Sequence, residues 1–350
     1  MFVGTQTTKG SKGIYAYSFN SATGELTEKG LAAEAEMPTF LALSPDQKTL
    51  FAANELSEYQ GKKTGAITSF AVDREAGKLT KINEVSAGGP GTCHVSMDHT
   101  GRCAFVANYD GGSAASFAVD KAGKLSEAVS FFQYRGRGPQ PQQDGPHAHR
   151  VTVSPDNQYL LVNDLGLDEI HVYHLDAMAA KLTAQDPLAW KAEPGSGPRA
   201  LRFHPNGRWV YCLNEVGSSV NVLEWDARKG VLTTAQLVST VPEGHTGPSA
   251  PSEIVIDKTG RFVYAANRFD NFLVSFSVSS TDGKLTLMER TSCGGEMPRH
   301  IALDPTEKWL LIANQETDNL SVFARDARTG KISKEGKGFP LSRPQCILFL

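Results

Sequence analysis

Apolar residues along this chain fall in short runs separated by turn chemistry, and the same order of runs keeps returning. The most regular run ends in Asn plus a polar residue. Leu50-Phe51-Ala52-Ala53-Asn54-Glu55 recurs as Ala104-Phe105-Val106-Ala107-Asn108-Tyr109, Leu160-Leu161-Val162-Asn163-Asp164, Val210-Tyr211-Cys212-Leu213-Asn214-Glu215, Val263-Tyr264-Ala265-Ala266-Asn267-Arg268 and Leu310-Leu311-Ile312-Ala313-Asn314-Gln315. The Asn positions 54, 108, 163, 214, 267 and 314 lie 47 to 55 residues apart. Runs of this length, bounded by turn residues, are strands rather than helices.

Each run follows a turn such as Ser44-Pro45-Asp46, Ser154-Pro155-Asp156, His204-Pro205-Asn206-Gly207 or Asp304-Pro305-Thr306. Here Pro presets φ and Asp or Asn bonds the local backbone. An alternating strand precedes the turn, as in Phe40-Leu41-Ala42-Leu43, so each repeat opens with a β-hairpin. A third strand follows in seven copies, among them Ile14-Tyr15-Ala16-Tyr17, Ile67-Thr68-Ser69-Phe70 and Leu273-Val274-Ser275-Phe276. A turn and a fourth strand come next, marked by Gly24, Gly77, Gly123, Gly230, Gly283 and Gly330, with Ala180 as the one departure.

Four strands per repeat of about 50 residues is the pattern of a β-propeller blade. The expected fold is therefore all-β: one seven-bladed β-propeller over residues 1–350, with four antiparallel strands per blade. The seventh blade takes its opening strand from Pro344–Leu350 and its second from Met1–Thr5, so the two termini close the ring and remove an open edge. An open solenoid would need capping repeats, and neither end resembles one.

In a propeller the first strand of each blade lines the channel, so its start and the end of the second strand share one mouth. Two rings of side chains are expected there. The position after the recurrent Pro, or after Thr92 and Ala148 where they stand in its place, supplies Thr39, Cys93, His149, Arg199, Ser252, Arg299 and Gln345. The position after the Asn supplies Thr5, Glu55, Tyr109, Asp164, Glu215, Arg268 and Gln315, with His94, Glu253 and His300 one residue further in. These rings vary between blades while the flanking strands stay nearly constant, which points to a site. His149, Glu215, Arg199 and Arg268 are the catalytic candidates. Arg299, His94, His147, Glu55 and Glu253 are the substrate-binding candidates. Guanidinium forks bind carboxylate or phosphate and stabilise a developing oxyanion, and a His can move a proton. Glu215 could orient the His, pair with Arg199, or act as a base. The Arg199–Glu215 couple could instead be a purely structural ion pair, and His147 a supporting residue. The Gly/Pro/Gln-rich segment 135–145 reads as either a rim over this mouth or a plain surface excursion.

Composition narrows the partners. A net charge of −3 leaves no basic footprint for nucleic acid, and no apolar run is long enough for a membrane helix. Five scattered cysteines form no CxxC pair, so neither a disulfide framework nor a zinc site is expected. The His147/His149 pair lacks an evident third ligand, so no metal or other cofactor is expected. No leader is visible, so a cytoplasmic monomer is expected, the alternative being a secreted or periplasmic protein whose leader is not in this sequence.

Val3-Gly4-Thr5, Pro146-His147-Ala148-His149, Gly197-Pro198-Arg199 with Phe203-His204-Pro205, Asn214-Glu215, Pro251-Ser252-Glu253-Ile254, Asn267-Arg268 and Met297-Pro298-Arg299 together resemble the propeller lactonases. That family includes 6-phosphogluconolactonase and a fungal carboxy-muconate lactonizing enzyme, and the resemblance spans essentially the whole chain. It implies a seven-bladed propeller with His149, Arg199, Glu215 and Arg268 at the active-site positions. It also implies hydrolysis of a small anionic sugar lactone, with 6-phosphogluconolactone as the leading substrate. A muconate-type cycloisomerase and a non-catalytic propeller platform are the alternatives. One departure stands out: relatives open Val-Gly-Thr-Tyr-Thr, whereas Gln6 stands here in place of the Tyr.

Overall fold

The computed structural model describes residues 1–350 and consists of seven four-stranded antiparallel sheets. Blade 1 runs through Pro38–Leu43, Thr49–Asn54, Ala66–Asp73 and Lys78–Ser86, and blades 2 to 6 follow in chain order. Blade 7 is assembled from both ends: Pro344–Leu348 is innermost and pairs with Phe2–Thr5, which pairs with Gly13–Asn20 and then Glu25–Glu34. The expected count, strand order and closure are all present.

The second strand of each blade explains why apolar runs dominated the sequence. Thr49–Asn54, Cys103–Asn108, Tyr159–Asp164 and Trp209–Asn214 are buried at every position, because each sheet is covered by a neighbouring blade on both faces. The apolar core is accordingly divided into seven clusters, one at each interface between adjacent blades. Leu160, Val162 and Tyr173 of blade 3 meet Phe105 and Ala114 of blade 2 in one of them. Burying side chains of this size contributes about 1.5–3 kcal/mol each, so the ring is held by interfaces distributed around its whole circumference.

The recurrent Gly before the fourth strand has a packing reason. At Gly230 φ is +64°, and a Cβ would lie 2.4 Å from the Tyr159 ring of the preceding blade. At Gly283 the corresponding contact is 2.3 Å, to Trp209. Ala180 adopts the same left-handed conformation, φ +52°, but the strand start it packs against carries Cys103 instead of an aromatic ring. The smaller neighbour makes room for one methyl group.

The recurrent Asn also has a role. Asn214 Nδ2 donates to Ser219 Oγ (3.0 Å) and Asn221 Oδ1 (2.7 Å), and Asn108 Nδ2 donates to Ala87 O and Ser113 Oγ. These buried amides tie the end of the second strand to the third strand and the neighbouring loop, which fixes the mouth end of each blade.

Candidate active site

Every innermost strand carries a β-bulge at one position. The register shifts fall between Pro38 and Phe40, Thr92 and His94, Ala148 and Arg150, Pro198 and Ala200, Pro251 and Glu253, and Pro298 and His300. In blade 7 the skipped residue is Gln345. The seven bulged residues are therefore Thr39, Cys93, His149, Arg199, Ser252, Arg299 and Gln345, the whole of the first expected ring. A bulge leaves its residue out of the ladder and re-aims side chains. Here it lets the bulged residue and the one after it both face the channel.

The second ring is correct in five blades and displaced in two. A backbone N–H closes the hairpin onto a carbonyl at the mouth: Glu55 N to Met37 O (2.9 Å), Tyr109 N to Gly91 O (2.7 Å), Glu215 N to Gly197 O (2.8 Å) and Gln315 N to Met297 O (3.0 Å). In blade 3 the equivalent donor is Leu165, to His147 O, and in blade 7 it is Gln6, to Arg343 O. Asp164 and Thr5 occupy the Asn position instead, opposite Ala148 and Pro344. Both side chains are fully buried against loop backbone. Asp164 accepts from the N–H groups of His147, Gly166 and Leu167, and Thr5 Oγ1 donates to Gly13 O. Asn163 imitates the marker one residue early, which is why sequence spacing misplaced this blade. Gln6, noted above as a departure from the relatives, is itself a ring residue.

His149, Arg199, Glu215 and Arg268 converge. Arg199 Nη1 lies 2.7 Å from His149 Nε2 and 3.2 Å from Glu215 Oε2, and Arg268 Nη2 lies 2.7 Å from the same carboxylate oxygen. Glu215 thus bridges two guanidiniums and does not contact the imidazole, so of its three expected roles the geometry realises the pairing one. Each guanidinium is anchored by its Nε to a backbone carbonyl, Arg199 to Ser252 O and Arg268 to Ala250 O, both at 3.0 Å. Arg299 donates from Nε to Gln345 Oε1 (3.0 Å), and Gln345 Nε2 donates to Gln315 Oε1 (2.7 Å).

Arginine only donates, so the Arg199 contact requires His149 Nε2 to be the accepting, unprotonated nitrogen. The electrostatics agree. Burial, reinforced by Arg199, Arg299 and Arg268, holds His149 well below the usual imidazole value. Burial pulls Arg199 down to about 9, which still leaves it a cation at neutral pH. Burial alone would raise Glu215, but Arg268 and Arg199 outweigh it and keep the carboxylate ionised below its ordinary range. The Cys93 thiol is pushed up mainly by burial and stays protonated.

The other binding candidates divide. Glu55 lines the same chamber as Arg299 and Cys93. His147 has both ring nitrogens occupied: its Nδ1 faces Tyr109 O at 3.1 Å, its Nε2 faces Asp144 at 3.0 Å, and its ring stacks on Tyr109 at 4.4 Å. Tyr109 then meets His149 edge-on at 5.6 Å. The segment before His147 packs inward through Gln143, which donates to Leu165 O and Asp168. His94 and Glu253 lie one layer deeper. Glu253 is taken up by both Nη1 contacts from Arg150 (2.8 and 2.9 Å) and by Arg202 at 3.2 Å. His94 accepts from Val151 N–H at 3.4 Å, and Phe40 lies against its ring. Arg150 and Arg202 were missed from sequence. Residue 150 follows a bulged residue, and residue 202 lies two further along its strand than Ala200, so counting inward from the bulge finds both.

Between the mouth and this deeper layer lies a polar chamber of about 30 Å³, lined by His149, Arg199, Arg299, Glu55 and Cys93 among others. That is room for about two water molecules, too little for a sugar-sized ligand.

This fold with this ring defines a propeller lactonase. The family described as "Lactonase, 7-bladed beta-propeller" matches residues 1–349, and the chain belongs to it. The chain is 34% identical over 349 residues to the 6-phosphogluconolactonase of Bacillus subtilis (strain 168), covering 100% of this chain and 97% of the relative. It is also 34% identical to a 6-phosphogluconolactonase of Formosa agariphila, over 95% of this chain and 94% of that one. Among solved structures, the periplasmic gluconolactonase PpgL of Pseudomonas aeruginosa superposes with a TM-score of 0.92 at 34% identity, covering 98% of this chain and 96% of the other. No helix is long and apolar enough to cross a membrane.

Proposed function

We propose that the protein hydrolyses an anionic sugar lactone at the channel mouth, with 6-phosphoglucono-δ-lactone as substrate. The observation that supports this best is the unprotonated Nε2 of His149 set 2.7 Å from Arg199, which shares Glu215 with Arg268. The mouth carries three guanidiniums, from Arg199, Arg268 and Arg299, against the carboxylates of Glu215 and Glu55. Its excess positive charge suits an anionic substrate. The names carried by the relatives point to the same chemistry.

In this reading the lactone carbonyl docks against Arg199 and Arg268. That draws the Arg199 N–H away from His149 Nε2. The imidazole then takes a proton from water as the water oxygen bonds to the carbonyl carbon. The guanidiniums hold the resulting oxyanion. On collapse the ring C–O bond breaks, and the proton passes from His149 to the leaving ring oxygen, giving an open-chain hydroxy acid. Glu215 holds the two guanidiniums together and offsets their repulsion. Arg299, held by Gln345, takes the phosphate. These steps use only the chain's own side chains and one water. Five unpaired thiols suit a reducing cytoplasm, and we propose that the chain acts there as a monomer.

The test is hydrolysis of 6-phosphoglucono-δ-lactone and glucono-δ-lactone, corrected for spontaneous opening, with His149→Ala and Arg268→Ala alongside the parent. A 10²-fold or larger loss in each variant is expected; rates equal to the parent's would refute the reading. Absence of lactone turnover, with turnover of a carboxylated muconate instead, would assign the same guanidiniums to lactonization.

A further inference from the structure

The opposite end of the channel is a second, chemically different cavity. It is a funnel of about 990 Å³ whose partly exposed apolar walls include Ala42, Leu43, Met97, Ile256, Leu303 and Leu348. Its floor is formed by Arg150, Arg202, His94 and His300, with Glu253 paired to them from the side of the polar chamber. That layer carries an uncompensated positive charge. Two guanidiniums share the single carboxylate of Glu253, and both imidazoles are neutral: burial lowers His94 well below its usual value and His300 to about 4. Arg150 is only 3% exposed, while Arg202 opens to the funnel.

An apolar wall beside a surplus cation suits a ligand with an anionic head and an apolar body.

We propose that this funnel binds an amphipathic monoanion, a medium-chain carboxylate, with its head on Arg202 and its chain along the apolar walls. The site is separate from the lactone site: the ring of His149 and Arg299 faces the other mouth, and the narrow polar chamber lies between. Of the floor residues, Arg202 is the accessible one, its side chain 31% exposed. It reaches Glu253 through a single 3.2 Å contact, which leaves donors of its planar fork for a carboxylate.

The experiment is calorimetric titration of the intact protein with hexanoate, octanoate and decanoate, and with octanol and inorganic phosphate as controls. Saturable binding of octanoate is expected, about tenfold tighter for decanoate and about tenfold weaker for hexanoate, from two methylenes each way. Octanol and phosphate, each holding half of the recognised chemistry, should bind at least tenfold more weakly than octanoate. Arg202→Met should weaken octanoate at least tenfold. Ala42→Phe, which fills the funnel from the wall, should abolish binding and decides the matter if the first variant does not fold. Saturating octanoate should leave KM for the lactone unchanged. Competitive inhibition of lactone hydrolysis, or affinity that ignores chain length, or affinity that survives Ala42→Phe, would overturn the proposal. Failure of the lactone assay alone would leave it standing.

Discussion

Arg199 Nη1 and His149 Nε2 meet at 2.7 Å, an arrangement that can exist only while the imidazole is neutral. The rate of lactone hydrolysis should therefore lack the inflection near pH 6.5 that a solvent-exposed histidine base would impose. With His149 held well below that value, kcat/KM should stay flat from pH 8 to below pH 6. Pre-steady or initial-rate profiles, corrected for spontaneous opening, provide the check. A twofold drop at pH 6.5 that disappears in a His149 variant would contradict it.

Glu215 touches two guanidiniums and no proton-transfer group. Glu215→Gln removes the charge that offsets Arg199 and Arg268 but keeps the shape. We expect kcat to fall about 100-fold, while the affinity for an anionic product analogue rises because the mouth becomes more positive. A glutamine variant that loses both equally would argue against a positioning role.

Arg268 is fixed by Nε to Ala250 O and by Nη2 against Glu215. Lysine has no second nitrogen with which to reproduce that fork. Arg268→Lys should therefore retain the charge and still lose 10- to 100-fold in kcat, with a smaller change in KM. Parent-like turnover would show that charge alone suffices.

Acid should unfold the protein early, and the cause can be assigned. The folded values of His94, His149 and His300 lie below the unfolded value near 6.5. The unfolded chain therefore binds protons that the native state refuses. Stability is complete above about pH 6.5 and falls as pH drops below it, by about 1.4 kcal/mol per pH unit for each imidazole. For His300 the loss continues to about pH 4. Glu215 and Glu253 act in the same direction but only below the carboxylate range. Denaturant titrations at pH 7, 6 and 5 should show the slope, and His300→Asn should reduce it by about one proton's worth.

Gly230→Ala should cost about 2–4 kcal/mol, because the new methyl meets the Tyr159 ring at 2.4 Å in a left-handed backbone. Ala180→Gly, at the matching point against Cys103, should change stability by less than about 1 kcal/mol. Comparable effects at the two positions would remove the steric account.

The fold could be read from the chain because a blade is covered on both faces. Second strands such as Trp209–Asn214 are therefore apolar up to their terminal polar residue, and a pattern repeated in every blade is hard to mistake. The first ring was legible for a related reason: the bulge falls at the same place in each blade, so one position identified all seven. The errors have local causes. Asn163 precedes Asp164, and Asp164 does the work Asn does elsewhere, so the marker slid by one residue. The separation from first-ring to second-ring residue, sixteen in each of blades 1 to 6 once Leu165 is used, would have corrected it. Arg150 holds in blade 3 the place that His94, Glu253 and His300 hold in theirs and was passed over, whereas Arg202 lies two residues beyond that place, deeper than the rings counted. Which partner Glu215 would choose was not legible, since it depends on where Arg268 arrives from another blade.

Blade 7 has a consequence for biosynthesis. Its inner strand, Pro344–Leu348, leaves the ribosome after every other strand, yet it must slot beside Phe2–Thr5, which emerged before all of them. Until then the ring is an unlatched arc with an unpaired sheet edge. The same late strand delivers Gln345, the residue that orients Arg299. Ring closure and completion of the residue ring at the mouth thus depend on the same strand.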